Sequence, residues 1–251
     1  MTERLMNDRR DRFLGLIGTK PVIMGILNVT PDSFSDGGKF FAPKAAMEQG
    51  KKLAEDGADI IDVGAESTRP GYTPLTAEEE LARLEPFLSG LTTSLDIPFS
   101  IDTSKARVAR RAAELGVSAV NDVWGFQKDP AMADTIAETG MAAVLMHNRD
   151  GIDPSLDILV DMRHFFDRSL KLADAAAIPR TRLVLDPGIG FGKSRAQNYA
   201  ALTNLGALKD YGLPILIGVS RKSLLKEKSS VPDDLTPSAS GRARGRYRGR
   251  H

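Results

Sequence analysis

Asn28, Asp62, Asp102, Asn121 with Asp122, His147, Asp186 and the run Ser220-Arg221-Lys222 share one property: each closes a short apolar stretch. Asp102, Asn121, Asp186 and Lys222 combine carboxylate acceptors, an amide and a cation. That set suits a planar heterocycle carrying N–H donors and a carbonyl, and it suits other ligands as well. Thr68 and Arg69, in AESTRPG, follow the second stretch, where Pro70 and Gly71 shape a turn. A guanidinium fork beside a hydroxyl is matched to a pair of phosphate oxygens, the bland alternative being a solvated loop arginine. Asn28 offers a neutral oxygen of the kind Mg²⁺ accepts when phosphates supply its other ligands. His147 is either a ligand or, as a lone histidine more often is, a hydrogen-bonded structural residue. No Ser-His-Asp arrangement reads as a triad. The chain has no cysteine, which excludes disulfides, thiolate zinc sites and a thiol nucleophile.

Residues of these types are useful only if the chain gathers them. The apolar stretches are VIMGILNV (22–29), DIIDVGA (59–65), FSIDT (99–103), AVNDV (119–123), AAVLMH (142–147), RLVLDPG (182–188) and PILIGVS (214–220). Helical periodicity separates them, as in 45–57, 77–91 and 105–116, the last ending on Gly116. Strands apolar on both faces and alternating with helices imply a parallel sheet covered by helices. Seven units over residues 22–220 average about 28 residues each, the pace of a TIM (β/α)₈-type barrel. The competitor, a doubly wound sheet, usually carries a glycine-rich phosphate turn after its first strand, and NVTPDSFSDGG is not one. In a barrel the C-terminal strand ends converge on one face, where active sites are built. Any single Asp or Asn there is explained by helix capping, but most strands ending this way is not. The polar loop after Asn28 then reads as a cover over that face.

A chain of 251 residues, 41% hydrophobic and 27% charged, is ordinary for a soluble α/β protein. The charged N-terminus has an apolar patch at 13–17 too short for a secretory core, and no stretch approaches a membrane span, so a cytoplasmic protein is expected. The net charge of +1 hides an asymmetry: residues 241–251 hold five arginines, and the remainder carries 29 basic against 33 acidic residues, a net of −4. That body offers no general footprint for nucleic acid.

MGILNVTPDSFSDGG (24–38), DIIDVGAESTRPG (59–71), SIDTSK (100–105), VNDV (120–123), LDPGIGFGK (185–193) and GVSRKS (218–223) resemble, in order, the signature segments of the dihydropteroate synthases, the folate-pathway enzymes that sulfonamides inhibit. The resemblance implies a transferase that joins 6-hydroxymethyl-7,8-dihydropterin diphosphate to p-aminobenzoate with release of diphosphate, aided by Mg²⁺. It implies Asn28 as the metal ligand, Thr68 and Arg69 at the diphosphate, and Asp102, Asn121, Asp186 and Lys222 around the pterin. Phe34, Pro70, Phe191 and Ser223 fall at the p-aminobenzoate positions. Asp102, Arg69 and Lys222 are the implied catalytic groups, and residues 30–38 the implied cover. A homodimer is the family's habit.

The chain departs from the family's pattern after Ser223. Residues 226–251 offer no apolar run for an eighth strand and no Arg-x-His anion site, and their composition reads as a disordered Arg/Gly-rich tail. The sequence therefore divides into an extension (1–21), an incomplete barrel of seven recognisable units (22–225) and the tail. An altered reading frame near Pro237 accounts for the tail, with an RG-type nucleic-acid segment the alternative. Two functional expectations stand: an active synthase, or a weak or inactive pterin-binding remnant, with the dimer in doubt.

Overall fold

A computed structural model describes residues 2–29, 41–66 and 74–218. Six strands, β1 (Met24–Asn28), β2 (Ile60–Gly64), β3 (Phe99–Asp102), β4 (Ala119–Asp122), β5 (Ala142–Met146) and β6 (Leu183–Asp186), form one parallel sheet in sequential order. Helices α1 (Thr2–Leu16), α2 (Phe41–Glu55), α3 (Ala77–Ser94), α4 (Ala106–Glu114), α5 (Met132–Thr139), α6 (Ile158–Ala175) and α7 (Arg195–Thr203) flank it. The seventh apolar run begins to join the sheet: Leu185 N donates to Pro214 O at 2.9 Å and Leu216 N donates to Leu185 O at 2.8 Å.

The helix starts follow local chemistry. Thr76 and Glu79 form a capping box at α3, Ser194 and Gln197 another at α7, and the Asp157 carboxylate accepts from two backbone amides at α6. Helix α4 stops just before Gly116, as its pattern predicts.

Strand order decides between the two α/β architectures. A doubly wound sheet reverses direction and puts helices on both faces; here the order never reverses, so right-handed crossovers place every crossover helix on one face. Leu27, Ile61, Val63, Phe99, Ile101, Val120, Leu145 and Leu185 point into that helical layer. The opposite face carries a smaller cluster of Ile60, Ala119, Ala142, Val144 and Val184. Such a face, without a helical layer, is buried by curling the sheet on itself, and the result is an incomplete barrel. Among the described residues β1 pairs on one side only, with β2, and its inward-facing Ile26 is 50% exposed.

Helix α1 closes the floor. Phe13, 3% exposed, packs into the inner cluster beside Met24 and Leu216. The arginines of α1 meet backbone carbonyls at the far ends of other helices. Arg9 Nη2 donates to Leu95 O (2.7 Å), Arg12 Nη2 to Asp96 O (2.8 Å) and Arg10 Nη1 to Gly140 O (2.7 Å). These sites follow the C-termini of α3 and α5, where unpaired carbonyls and the helix dipole favour a cation. The expected outcome of Phe13→Ala is a loss of about 3 kcal/mol in urea denaturation. An unchanged midpoint would mean that α1 adds nothing to the barrel.

Candidate active site

Strand alternation sorts the polar strand ends into two groups. The register aligns Asn28 with Gly64, Gly64 with Asp102, and Asp102 with Asn121, all on the inner face. One layer below, Asp62 lies opposite Ser100. Asp186 closes β6 on the same inner side, opposite Met146. Asn28, Asp102, Asn121 and Asp186 therefore gather on one rim. Asp122 faces outward instead, where its carboxylate accepts from Trp124 N (2.9 Å) and Phe126 N (2.7 Å). It caps a turn, and burial pushes its carboxyl up to about 6.

Asp62 organises the interior. Almost fully buried, it accepts from Ser100 Oγ (2.6 Å) and from Asn121 Nδ2 (2.9 Å). Burial raises its carboxyl above the usual range, and the two hydrogen bonds act against that rise. Because the Asn121 NH₂ is committed to Asp62, the amide orientation is fixed, and Asn121 Oδ1 is buried without a partner. Such an orphaned acceptor costs on the order of 1–3 kcal/mol until a ligand donor meets it.

Asp102 stands beside this pair. Burial first, then the charges of Asp62, Glu80, Asp122 and Glu66, raise its carboxyl well above the ordinary value. A Cβ at position 64 would sit 3.5 Å from both Asn28 Oδ1 and Asp102 Oδ2. Glycine there leaves the amide oxygen and the carboxylate to share the space above it.

A cleft of about 530 Å³ opens over Asp102 and runs past Thr103, Trp124, Arg149 and Phe191. Its β6 wall is a tight loop. Asp186 Oδ1 accepts from Gly188 N at 2.8 Å, and any Cβ at Gly188 (φ +62°) would lie 1.9 Å from His147 O. The buried Lys193 ammonium donates to the carbonyls of Gly188 (2.8 Å), Phe191 (3.1 Å) and His147 (3.3 Å), drawing the loop around itself and presenting Phe191 to the cleft. Lys193 belongs to the recognisable LDPGIGFGK string, yet its organising role is invisible without the carbonyls it collects. Glu66, Trp124, Lys128 and Arg149 also line the cleft and were not singled out by the sequence.

His147 resolves in favour of the structural reading. Its ring is fully buried against Phe165, and Nε2 lies 3.0 Å from Asp161 Oδ2, a carboxylate also held by Arg149 at 2.8 Å. Phe34, Thr68, Arg69, Pro70, Lys222 and Ser223 lie outside the described residues. Among the described residues no group of three His, Cys, Asp or Glu side chains is placed to hold a metal. Asn28, a single hard neutral oxygen next to a carboxylate, fits a Mg²⁺ whose other ligands come from substrate phosphates and water.

The sequence profile of the family described as "Pterin binding enzyme" matches residues 24–246. The chain belongs to the dihydropteroate synthase family. It is 46% identical over 216 residues to the dihydropteroate synthase of Clostridium beijerinckii, covering 86% of this chain and 80% of the relative. A dihydropteroate synthase from Clostridium difficile, solved in the presence of pteroic acid, superposes with a TM-score of 0.80 at 49% identity over 83% of this chain and 79% of that one. The Xanthomonas albilineans enzyme with 4-aminobenzoic acid gives 0.79 at 42% identity, over 83% and 76%. The chain is thus an enzyme of a folate-pathway transferase family. No helix among the described residues is long and apolar enough to cross a membrane.

Burial, then the charge of Lys193, lowers the His147 pKa to about 4. The unfolded chain takes up this proton below about 6.5 while the folded protein stays neutral there until about 4, so acid favours unfolding in that window. Wild type is expected to lose about 3 kcal/mol relative to His147→Gln as pH falls from 7 to 4. Parallel stability curves for the two proteins in denaturant would contradict a neutral buried imidazole.

Proposed function

We propose that the chain condenses 6-hydroxymethyl-7,8-dihydropterin diphosphate with p-aminobenzoate to give 7,8-dihydropteroate and diphosphate, with Mg²⁺ as cofactor. One observation carries the reading: Asn121 Oδ1, buried and unpaired, opens on the face that also holds the carboxylates of Asp102 and Asp186. Those acceptors match the N–H-rich edge of a pterin. The pteroic acid and 4-aminobenzoic acid named for the two related structures support it.

The residues account for the chemistry. Departure of diphosphate from the pterin methylene leaves a cation delocalised into the ring. Asp102 and Asp62, two carboxylates whose ionisation burial opposes, gain from a positive charge beside them, so their field is stronger toward the transition state than toward the neutral substrate. An aromatic amine is already unprotonated at pH 7 and needs no strong base. In this reading Mg²⁺, when bound at Asn28 with the phosphates, neutralises charge on the leaving group. The family resemblance assigns Thr68 and Arg69 to that group and Lys222 to the pterin. Phe191, with Phe34, Pro70 and Ser223, surrounds the second substrate.

Dihydropteroate formation in the presence of Mg²⁺ tests the proposal, and turnover above background is the expected result. Pterin binding without product would instead identify a remnant that binds but does not catalyse. Asp102→Asn is expected to lower kcat by about 10²–10³ with an unchanged circular dichroism spectrum. A near-normal kcat would remove the electrostatic role. Asp62→Asn, which frees the Asn121 amide to rotate, is expected to weaken 6-hydroxymethylpterin binding by about tenfold in calorimetry. Equal affinities would show that the amide orientation is irrelevant.

A further inference from the structure

Glu80, on the first turn of α3, is fully buried, and its Oε1 has no hydrogen-bond partner. Its other oxygen accepts from Lys105 Nζ at 2.7 Å. The same ammonium bonds to Glu66, two residues beyond β2. Glu66 is not buried in this way: its side chain keeps 22% of its exposure and lines the cleft with Asp102, Thr103 and Ser104. One cation therefore ties a carboxylate in the cleft wall to a carboxylate in the core. A second tie holds the adjoining backbone, where Arg83 Nη1 donates to Ala65 O at 3.1 Å.

Structural need does not explain the arrangement well. A buried ion pair is often no more stable than apolar residues of similar volume, so its value is in the geometry it enforces. Lys105 sits at the N-terminus of α4, where the helix dipole disfavours a cation, and only the two carboxylates make the site favourable for it. Burial lowers its pKa, and the bonds to Glu66 and Glu80 more than reverse this. The outcome is a carboxylate held still at the outer edge of an acceptor-lined pocket.

Resting on the condensation proposed above, we propose that Glu66 is a further substrate-contacting residue, an acceptor for the N–H of the incoming arylamine, and that Lys105 is the residue that positions it. In that reading the interior acceptors Asn121 and Asp186 face the ring, so a donor met at the solvent edge belongs to the other substrate, the arylamine. Once the C–O bond to diphosphate has broken, the amine lone pair forms the new C–N bond at the methylene cation, and the amine nitrogen becomes positive. Glu66 accepts that proton and passes it to water, which leaves the neutral secondary amine of the product.

Removing Lys105 alone would leave Glu80 buried without its counter-charge, so loss of activity in that variant has two explanations. The double variant Lys105→Met/Glu80→Leu separates them by eliminating both buried charges while releasing Glu66. Lys105→Met is expected to lower Tm by roughly 10 °C and the double variant to recover most of it. Glu66→Gln and the double variant should both raise KM for p-aminobenzoate about tenfold or more, with 6-hydroxymethylpterin affinity in calorimetry unchanged. Lys105→Arg, which keeps the bridge, should stay within about twofold of wild type. A double variant that regains normal KM along with its Tm would make the cluster purely structural and overturn the inference, as would a normal KM in Glu66→Gln. If wild type itself neither condenses the substrates nor binds the pterin, the parent reading fails and this one with it.

Discussion

In a parallel strand, consecutive side chains cannot face the same way. With every crossover helix on one side of the sheet, that alternation leaves half of each strand for packing and half for the interior. Asn121 and Asp122 make the point, being adjacent, polar and both at a strand end. The first turns inward to a free acceptor position, and the second turns outward to cap its own loop. The inner set of Asn28, Asp62, Asp102, Asn121 and Asp186 exists because each occupies the inward parity of its strand. A one-residue slip that brought the preceding residue inward would exchange each acceptor for a core aliphatic: Leu27, Ile61, Ile101, Val120 or Leu185.

Inside that rim, charge is concentrated rather than dispersed. Burial, then the charges of Asp62, Glu80, Asp122 and Glu66, raises the Asp102 carboxyl, and Lys105 is bonded to both Glu66 and Glu80. Such clustering of like charges opposes stability and makes a positive charge beside it favourable. Asp62 illustrates the compromise. Two hydrogen bonds keep it tolerable in the core, and making them orients the amide that a ligand would read. Around the cleft, Lys193 performs the complementary task, a buried cation that draws the carbonyl oxygens of His147, Gly188 and Phe191 together.

The barrel was legible in the sequence because both of its signals are local: apolar runs of strand length, and helical periodicity between them. All six paired strands fall within the runs read from the sequence, and the seventh run makes its first bonds where expected. The inward placement of Asn28, Asp102, Asn121 and Asp186 follows from the same signal once parity is counted. Asp122 could have been separated from Asn121 by that count. His147 could not be settled beforehand, since its role depends on Asp161 and Phe165 from a later helix. Helix α1 read only as a charged extension because its weak amphipathicity conceals what its arginines do: their acceptors are carbonyls of α3 and α5, which no composition or period can reveal. The Glu66–Lys105–Glu80 bridge was hidden for a similar reason, its members lying on three different elements.

The arginines of α1 also bear on the order in which the molecule can be completed. Arg9 and Arg12 reach acceptors 86 and 84 residues further along, and Arg10 one 130 residues away. A ribosome therefore releases this helix long before anything exists for it to cap, and contacts of such separation form slowly. A segment made before its acceptors docks only after them, and until it does the base of the barrel is unsealed and its apolar lining is open to a chaperone or a neighbouring chain.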